Sequence, residues 1–417
     1  METEKFGYGL LGEKLGHSFS GTIHAKLGLT DYILVEAPKE RLENILHSGT
    51  WKGLNVTIPY KRAVMEFCDE ISVGAAEIGS VNTIVRKPNG LLCGFNTDID
   101  GFIYAAKRSG IVFRDRNVLI CGSGGTSLTA QAAAKRLGAK RVTVVSRSGE
   151  VRYDELGDYA DTDILVNTTP VGMFPNNLEA PLSLDTFPNL TGVIDVIYNP
   201  RRTALIMEAE KRGIPTADGL PMLVHQAKRA EELFFGSAIP DSETERVVRE
   251  MRVEMSNIVI IGMPGSGKTT VAEQIAQRTG HRLIDLDEEI EKTAGKPITE
   301  IFSEQGEAAF RELEREEAIK AGKLTGVVIS TGGGVVKDFR NFASLHQNGR
   351  IYWLRREIEA LETEGRPLSK DSETLKKLQA EREPLYRGFT DTDICNDKTP
   401  EAAAQMIWED YCENIGN

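Results

Sequence analysis

Residues 262–269 read Gly-Met-Pro-Gly-Ser-Gly-Lys-Thr, a complete G-x-x-x-x-G-K-[ST] phosphate loop. The apolar run Ile258-Val259-Ile260-Ile261 precedes it and a helical pattern (Val271, Ile275, Ala276) follows, the strand–loop–helix setting the motif requires. In the loop Gly262-Met263-Pro264-Gly265-Ser266-Gly267 the backbone N–H groups, of which Pro264 has none, wrap a β-phosphate, and the helix N-terminus at Lys268, Thr269 and Thr270 adds partial positive charge. Lys268 bridges the outer phosphates in such loops, and the Thr269 hydroxyl takes one Mg²⁺ position. Three further groups point to a small anionic acceptor. Asp285 and Asp287, one residue apart on an expected strand, share a face, so that one helps hold Mg²⁺ while the other accepts a hydrogen bond from an attacking hydroxyl. Arg311 and Arg382 offer bidentate forks for a carboxylate, with surface ion pairs as the alternative for either alone. Gly332, Gly333 and Gly334, just after the apolar run Val327–Ile329, let the backbone come close to a ligand.

The first half carries different chemistry. Ser18, Ser20, Asn55, Thr57, Asn82, Asn96, Thr97 and Asp98 are hydroxyls, amides and one carboxylate at expected strand ends. Groups that both donate and accept suit a polyhydroxylated ligand. Lys61 follows Asn55-Val56-Thr57-Ile58-Pro59-Tyr60, and a lysine held by a carboxylate can deliver a proton to a carbonyl under reduction. For Lys61 alone, a solvated helix position is the stronger reading. A second glycine turn, Gly122-Ser123-Gly124-Gly125-Thr126, lies between the strand Asn117–Cys121 and a helix read over Leu128–Leu137. The third glycine of the dinucleotide fingerprint is replaced by Ser127, so turn packing is as good an explanation until the next strand is read. That strand, Arg141–Ser146, ends in Ser146-Arg147-Ser148 with no acid for a ribose 2′-hydroxyl. Arg147 can take a 2′-phosphate instead, which favours NADP over NAD, or it is a solvated strand end.

These residues must be positioned by α/β elements. At 417 residues, 40% hydrophobic and 7% aromatic, the chain is expected to fold as two or three α/β domains. Residues 1–100 read as an α/β substrate lobe, with short strands Gly7–Gly12, Tyr32–Glu36 and Leu54–Ile58 and a hairpin Val81–Arg86/Leu91–Asn96 turned at Asn89-Gly90. Residues 101–218 read as a dinucleotide lobe, and 238–256, charged and poor in large apolar side chains, as a linker with some helix. Residues 257–417 read as a P-loop domain around a parallel sheet that includes Val327–Ser330 and Ile351–Leu354. The net charge of −12 argues against nucleic acid, and no apolar run reaches membrane-spanning length. Five scattered cysteines and a start, Met-Glu-Thr-Glu-Lys, without signal-peptide order lead to the expectation of a reduced cytoplasmic protein.

Residues 5–236 resemble shikimate dehydrogenase. The likeness rests on His17-Ser18-Phe19-Ser20, Asn55–Lys61, Val81-Asn82-Thr83, Gly94–Asp98, Asn167–Met173, Asp195–Pro200 and Asp218–Ala227. It implies that Ser18 and Ser20 hold a substrate carboxylate and that Asn55, Thr57, Asn82, Asp98, Tyr198 and Gln226 line ring hydroxyls. It further implies that Lys61 and Asp98 form the catalytic pair, that Gly122–Thr126 cradle the pyrophosphate with Ser146 and Arg147 at the ribose end, and that Gly219 and Met222 (in a lobe completed by helices over 219–237) border the nicotinamide. Residues 257–412 resemble shikimate kinase. That likeness implies Asp287 on the acceptor hydroxyls, Arg311 and Arg382 on its carboxylate, Gly332–Gly334 against its ring, and Asp285 near the metal. Gly365-Arg366-Pro367-Leu368 matches the family's mobile lid, with Arg366 closing over the phosphoryl group. The acidic stretch Glu357–Glu364 lacks the arginine the family commonly sets against adenine. The resemblance therefore implies a Rossmann-type lobe and a P-loop NTPase-type domain in one chain. It also implies NADP(H), ATP and Mg²⁺, small-molecule partners (3-dehydroshikimate and shikimate) and a homodimer among the possible assemblies. A quinate-using dehydrogenase fused to another small-acid kinase, and a non-catalytic nucleotide sensor, are the competing readings.

Overall fold

The computed structural model describes residues 6–16, 18–48, 50–358, 361 and 372–415. Their contacts divide the chain into two compact units, one of residues 1–171, 180–198 and 208–248 and one of residues 172–179, 199–207 and 249–417.

The first unit holds two sheets. The strands of one are β1 (Tyr8–Gly12), β2 (Tyr32–Glu36), β3 (Gly53–Val56), β4 (Glu70–Ile71), β5 (Thr83–Arg86) and β6 (Leu92–Phe95), in the order β2-β1-β3-β5-β6-β4. β1 runs parallel to β2 and β3, and the hairpin β5–β6 is antiparallel. Leu11, Leu54, Val56 and Ile84 form the core against Trp51 and Val64. The other sheet has β7 (Asn117–Cys121), β8 (Arg141–Val145), β9 (Ile164–Asn167), β10 (Gly192–Asp195) and β11 (Thr216–Ala217), ordered β11-β10-β9-β7-β8 with every pairing parallel. Every residue of β9 and β10 is buried, as expected for strands covered on both faces. The helix after β7 starts earlier than the apolar pattern indicates, at Gly125 rather than Leu128. Its first turn is built of Gly125, Thr126 and Ser127, which give no apolar periodicity to read.

The second unit has one parallel sheet of β12 (Asn257–Ile261), β13 (Arg282–Asp285), β14 (Val327–Ser330), β15 (Gly349–Arg355) and β16 (Thr392–Cys395), ordered β13-β14-β12-β15-β16. β12 is central and buried throughout. Its Ile258 and Ile260 face one layer of helices, and Val259 and Ile261 face the other. Among the described residues no helix is long and apolar enough to cross a membrane.

The charged segment read as a linker is a continuous helix, Asp241–Met255. Val247, Val248 and Met251 bury along one side of it. Within the first unit, Asp241 pairs with Lys228 (2.9 Å), Thr244 Oγ1 lies 3.2 Å from His225 Nδ1, and Glu245 takes Arg108 (3.0 Å) and the Tyr104 hydroxyl. His225 stacks flat on Tyr104, ring centroids 4.1 Å apart. Burial, with Lys228 nearby, pulls the His225 imidazole from its ordinary 6.5 down to about 4. Between those values the unfolded chain binds a proton that the folded chain refuses, so this group costs stability as pH falls from 6.5 towards 4. His225→Phe keeps the stack and removes the titration. Its urea midpoint, followed from pH 7 to pH 4, is expected to fall less steeply than that of the parent protein.

Candidate active sites

In the first unit the site grows from the carboxyl ends of β1 and β3 and from the start of the helix Asp98–Arg108. The chain leaves β3 through Thr57 and bends back at Lys61, which hands its backbone carbonyl to Val81 N (2.8 Å). That contact places the lysine beside the helix N-terminus, where Lys61 Nζ donates to Asp98 Oδ2 at 2.6 Å. Both side chains are largely but not fully buried, with 24% and 15% of their surface exposed, so the ammonium is accessible to a ligand. Ser18 donates to Ser20 Oγ (3.1 Å) and accepts from Ser20 N (3.2 Å), so both hydroxyls sit at the first turn of the helix Ser20–Leu27. Phe19, between them, meets Tyr198 edge-on with ring centroids 5.8 Å apart. Burial pushes the Tyr198 phenol up, which keeps it a donor. Asn82 Oδ1 accepts from Thr97 N (2.8 Å) and Thr83 Oγ1 (3.0 Å), and Thr97 Oγ1 reaches Gln226 Oε1 at 3.5 Å. Thr57 packs its methyl near Gly12.

The first unit also carries a glycine turn between β7 and the helix that follows it. Gly122 leaves β7 at φ +101°, and a side chain there would meet Thr168 Oγ1 at 2.9 Å, so the turn needs glycine. Ser123, Gly124 and Gly125 follow, Gly124 and Gly125 facing open space on their Cβ side, and Thr126 lies in the first turn of the helix. Gly122 N bonds Val145 O (2.8 Å), which sets the end of β8 next to the turn. The Ser146 hydroxyl there is buried without a partner, and Arg147 is exposed just beyond. An open glycine turn at a helix N-terminus, an orphaned hydroxyl and a free-standing arginine fit the phosphates of NADP. Gly219 and Met222 open the helix Gly219–Phe235, capped by Asp218 accepting from Leu220 N (2.9 Å).

In the second unit the phosphate loop spans Gly262, Met263, Pro264, Gly265, Ser266 and Gly267, ahead of the helix Lys268–Thr279, which carries Thr269 and Thr270. Lys268 Nζ donates to Met263 O (3.0 Å), and Ser266 Oγ is buried without a partner. Thr269 Oγ1 donates to Asp285 Oδ2 (2.8 Å) and lies 3.2 Å from Ser330 Oγ. A hydroxyl and a carboxylate oxygen in contact at a phosphate loop are the donor set for a Mg²⁺ that keeps most of its waters. One expectation is corrected here. Asp285 and Asp287 do not share a strand face, because β13 stops at Asp285, which becomes the N-cap of the next helix. Its Oδ1 accepts from Asp287 N (3.0 Å) and Glu288 N (3.4 Å). The two carboxylates are thus split between strand end and helix start, and only Asp287 turns towards the glycine triplet.

That triplet is the hub of the site. A methyl group on Gly332 would lie 2.8 Å from Asp287 Oδ1 and 2.9 Å from Glu314 Oε1, and one on Gly333 would lie 2.6 Å from Pro264 of the phosphate loop. On Gly334 it would strike the Arg311 guanidinium. The Gly333 carbonyl accepts from Arg382 (2.9 Å) and the Tyr386 hydroxyl (2.6 Å). Glu314, three residues after Arg311, holds its guanidinium at 2.6 Å and leaves its other oxygen buried and unpaired. Burial raises its carboxyl, with Arg311 pulling the other way. Arg382 Nε is likewise buried and unpaired. Thr83, Ser330 and Glu314 were missed as site residues because only their spatial neighbours reveal them. Arg366 lies outside the described residues.

Comparison with known proteins accords with this geometry. A family model described as the shikimate dehydrogenase substrate binding domain matches residues 10–84. A shikimate dehydrogenase (NADP(+)) of Clostridium beijerinckii is 38% identical over 248 residues, covering 54% of this chain and 91% of the relative. The chain belongs to the shikimate dehydrogenase family. The corresponding protein of Methanopyrus kandleri is 36% identical and covers 60% of this chain and 97% of its own length. Among solved structures, a shikimate 5-dehydrogenase of Thermus thermophilus in complex with NADP(H) and shikimate aligns with a TM-score of 0.54 at 31% identity. It covers 59% of this chain and 99% of its own. A chorismate mutase/shikimate 5-dehydrogenase fusion of Clostridium acetobutylicum aligns at 0.56 and 34%, covering 59% and 96%. The shikimate kinase family model matches residues 264–412, so a kinase domain follows the dehydrogenase in the same chain.

Gly334→Ala drives a methyl group into Arg311 and displaces it from the glycine triplet. Loss of a charge-assisted contact of about 1.5–3 kcal/mol predicts a rise of roughly 10- to 100-fold in the kinase KM for its acid, with dehydrogenase kinetics unchanged. Steady-state assays of both activities on one preparation check it.

Proposed function

We infer that this chain catalyses two consecutive steps: reduction of 3-dehydroshikimate with NADPH, then phosphorylation of shikimate at its 3-hydroxyl with Mg-ATP. The observation that carries the first step is the Lys61–Asp98 pair at 2.6 Å, set among hydroxyls and amides. Ser18 and Ser20 bind the carboxylate, and Asn55, Thr57, Asn82, Tyr198 and Gln226 meet the ring oxygens. NADPH, when bound, supplies the hydride. Lys61 and Asp98 hold the proton that the reacting oxygen takes up as the carbonyl becomes a hydroxyl.

For the second step, Arg311 and Arg382 grip the carboxylate. Asp287 orients the 3-hydroxyl and accepts its proton as the oxygen bonds to the phosphoryl group and the bond to the departing diphosphate breaks. Lys268 and the N-terminus of its helix stabilise the charge on the transferring group. Thr269 and Asp285 hold Mg²⁺, which when bound neutralises phosphate charge. Arg366 is assigned to the lid over the phosphoryl group. On this reading the substrate lobe comprises residues 1–100 completed by 219–237, the NADP lobe 101–218, the linker 238–256 and the kinase 257–417, in a cytoplasmic enzyme.

A single reaction containing 3-dehydroshikimate, NADPH and ATP is expected to accumulate shikimate 3-phosphate. Accumulation of shikimate alone would refute the kinase assignment, and no oxidation of NADPH would refute the dehydrogenase. Lys61→Ala is expected to lower dehydrogenase kcat by about 10²–10⁴-fold with little change in KM, the size of a lost general acid. Lys268→Ala in the same chain should abolish phosphorylation and leave NADPH oxidation intact, read by absorbance at the nicotinamide band.

A further inference from the structure

The last residues of β9 and β10 stand opposite each other in the parallel register, Asn167 against Asp195, and both are fully buried. A carboxylate and a carboxamide are costly in such a place unless their polar atoms find partners. Asn167 Nδ2 donates to both oxygens of Asp195, each at 3.1 Å, and to the Val171 carbonyl at 3.4 Å. Asn167 Oδ1 accepts from Thr169 N (3.0 Å) and Thr169 Oγ1 (2.7 Å), and that hydroxyl accepts in turn from Val171 N (3.2 Å). A backbone N–H can only donate, so the amide is fixed with its oxygen on Thr169 and its nitrogen on Asp195. Asp195 Oδ1 also accepts from Ile197 N at 3.1 Å.

Two arms leave this contact. One runs to the glycine turn after β7. Thr168 gives both its N–H (2.9 Å) and its hydroxyl (2.6 Å) to the Cys121 carbonyl. A side chain on Gly122 would meet Thr168 Oγ1 at 2.9 Å and the Thr169 methyl at 3.0 Å. Through Thr169, Asn167 therefore holds the wall against which the Gly122 turn packs. The other arm runs to the residues that line the substrate. Ile197, caught by Asp195, is followed by Tyr198, and its carbonyl accepts from Gly219 N (2.9 Å). Gly219 opens the helix that carries Met222 and Gln226, and a Cβ on it would collide with the Val196 carbonyl. Apolar groups in place of a buried polar pair are often neutral for stability. What the polar pair adds at these two strand ends is direction.

We propose that Asn167 and Asp195 are positioning residues of the dehydrogenase: one amide–carboxylate contact sets the Gly122 turn and the Tyr198 loop in a fixed relation. NADPH and the ring acid then meet surfaces aligned by the same hydrogen bonds, and loosening those bonds weakens both ligands together. The inference rests on the dehydrogenase reading and deepens it, since it assigns the mutual alignment of hydride donor and acceptor to a buried pair. Lys61 and Asp98 pair with each other and lie outside this set of contacts, so the step that holds the proton is spared.

The test uses the full chain. In Asp195→Asn, Ile197 N keeps the one remaining oxygen, and the introduced amide nitrogen faces Asn167 Nδ2, donor against donor, across the native 3.1 Å. This variant is expected to raise the KM for 3-dehydroshikimate and the KM for NADPH roughly tenfold each, the equivalent of about 1.4 kcal/mol, with kcat within about threefold. Adding Asn167→Asp exchanges the two roles, restores a donor facing an acceptor and keeps an acceptor for Thr169. Both KM values should then return to within about threefold of the parent, a coupling that independent sites would not show. A rise in only one KM, unchanged KM values with a lowered urea midpoint, or no recovery in the double variant each overturn the proposal. If Asp195→Asn fails to fold, Thr169→Val, which removes the 2.7 Å hydroxyl contact to Asn167, must raise both KM values, and a rise for NADPH alone overturns it. NADPH binding, followed by nicotinamide fluorescence, separates the two readings. A parent that binds NADPH without oxidising it refutes the dehydrogenase reading, while the ratio of Kd between Asp195→Asn and the double variant still judges the pair.

Discussion

The architecture depends on one steric constraint: at the carboxyl ends of parallel strands, backbone must come into contact with catalytic side chains, and a Cβ would prevent it. Gly332, Gly333 and Gly334 follow β14 and are touched in turn by Asp287 and Glu314, by Pro264, and by Arg311. The phosphate loop, Asp287, Arg311 and Arg382 thereby converge on three residues that contribute no side chain. In the dehydrogenase the turn after β7 obeys the same rule, with Gly122 against Thr168. Ligands of open parallel sheets gather in this crevice because the helix N-termini and the strand ends meet there.

Electrostatics follow from that geometry rather than from the overall field. A chain of net charge −12 repels the acids and phosphates it is built to handle. It offsets this locally, with arginines that are half to fully buried and braced by carboxylates. Arg311 sits between Glu307 and Glu314, and although burial opposes its charge, the two carboxylates hold its pKa up. Among the described residues, Ser146 Oγ after β8, Ser266 Oγ in the phosphate loop, and Glu314 Oε1 and Arg382 Nε around the glycine triplet are buried polar atoms without a hydrogen-bond partner.

Much of this was legible in one dimension. The phosphate loop, the glycine turn and the strands at Tyr32–Glu36, Asn117–Cys121 and Val327–Ser330 are local patterns, and the structure keeps their bounds. The failures share a cause. Asp285 and Asp287 were read with a strand's alternation, but a side chain that caps a helix ends the strand beneath it, and capping depends on where the next helix begins. The segment 238–256, read as a linker with some helix, gave no clear helix bounds because its apolar residues are few. It folds as a helix because those few, Val247, Val248 and Met251, fall on one side and its charges find partners on two other helices, Lys228 on the preceding one and Arg108 far back in the chain.

The sequence by itself determined the chemistry: which residue types occur, the spacing of the two glycine turns, and therefore that phosphates bind twice in one chain. Local motifs suffice for that, since a phosphate loop is made by neighbours along the backbone. Only the tertiary structure decided which lone charges become pairs. Lys61 and Asp98 lie 37 positions apart, His24 and Glu231 lie 207 apart, and each is meaningful only through its partner. Such contacts are closed by sheet register and helix packing, and no spacing along the chain encodes them.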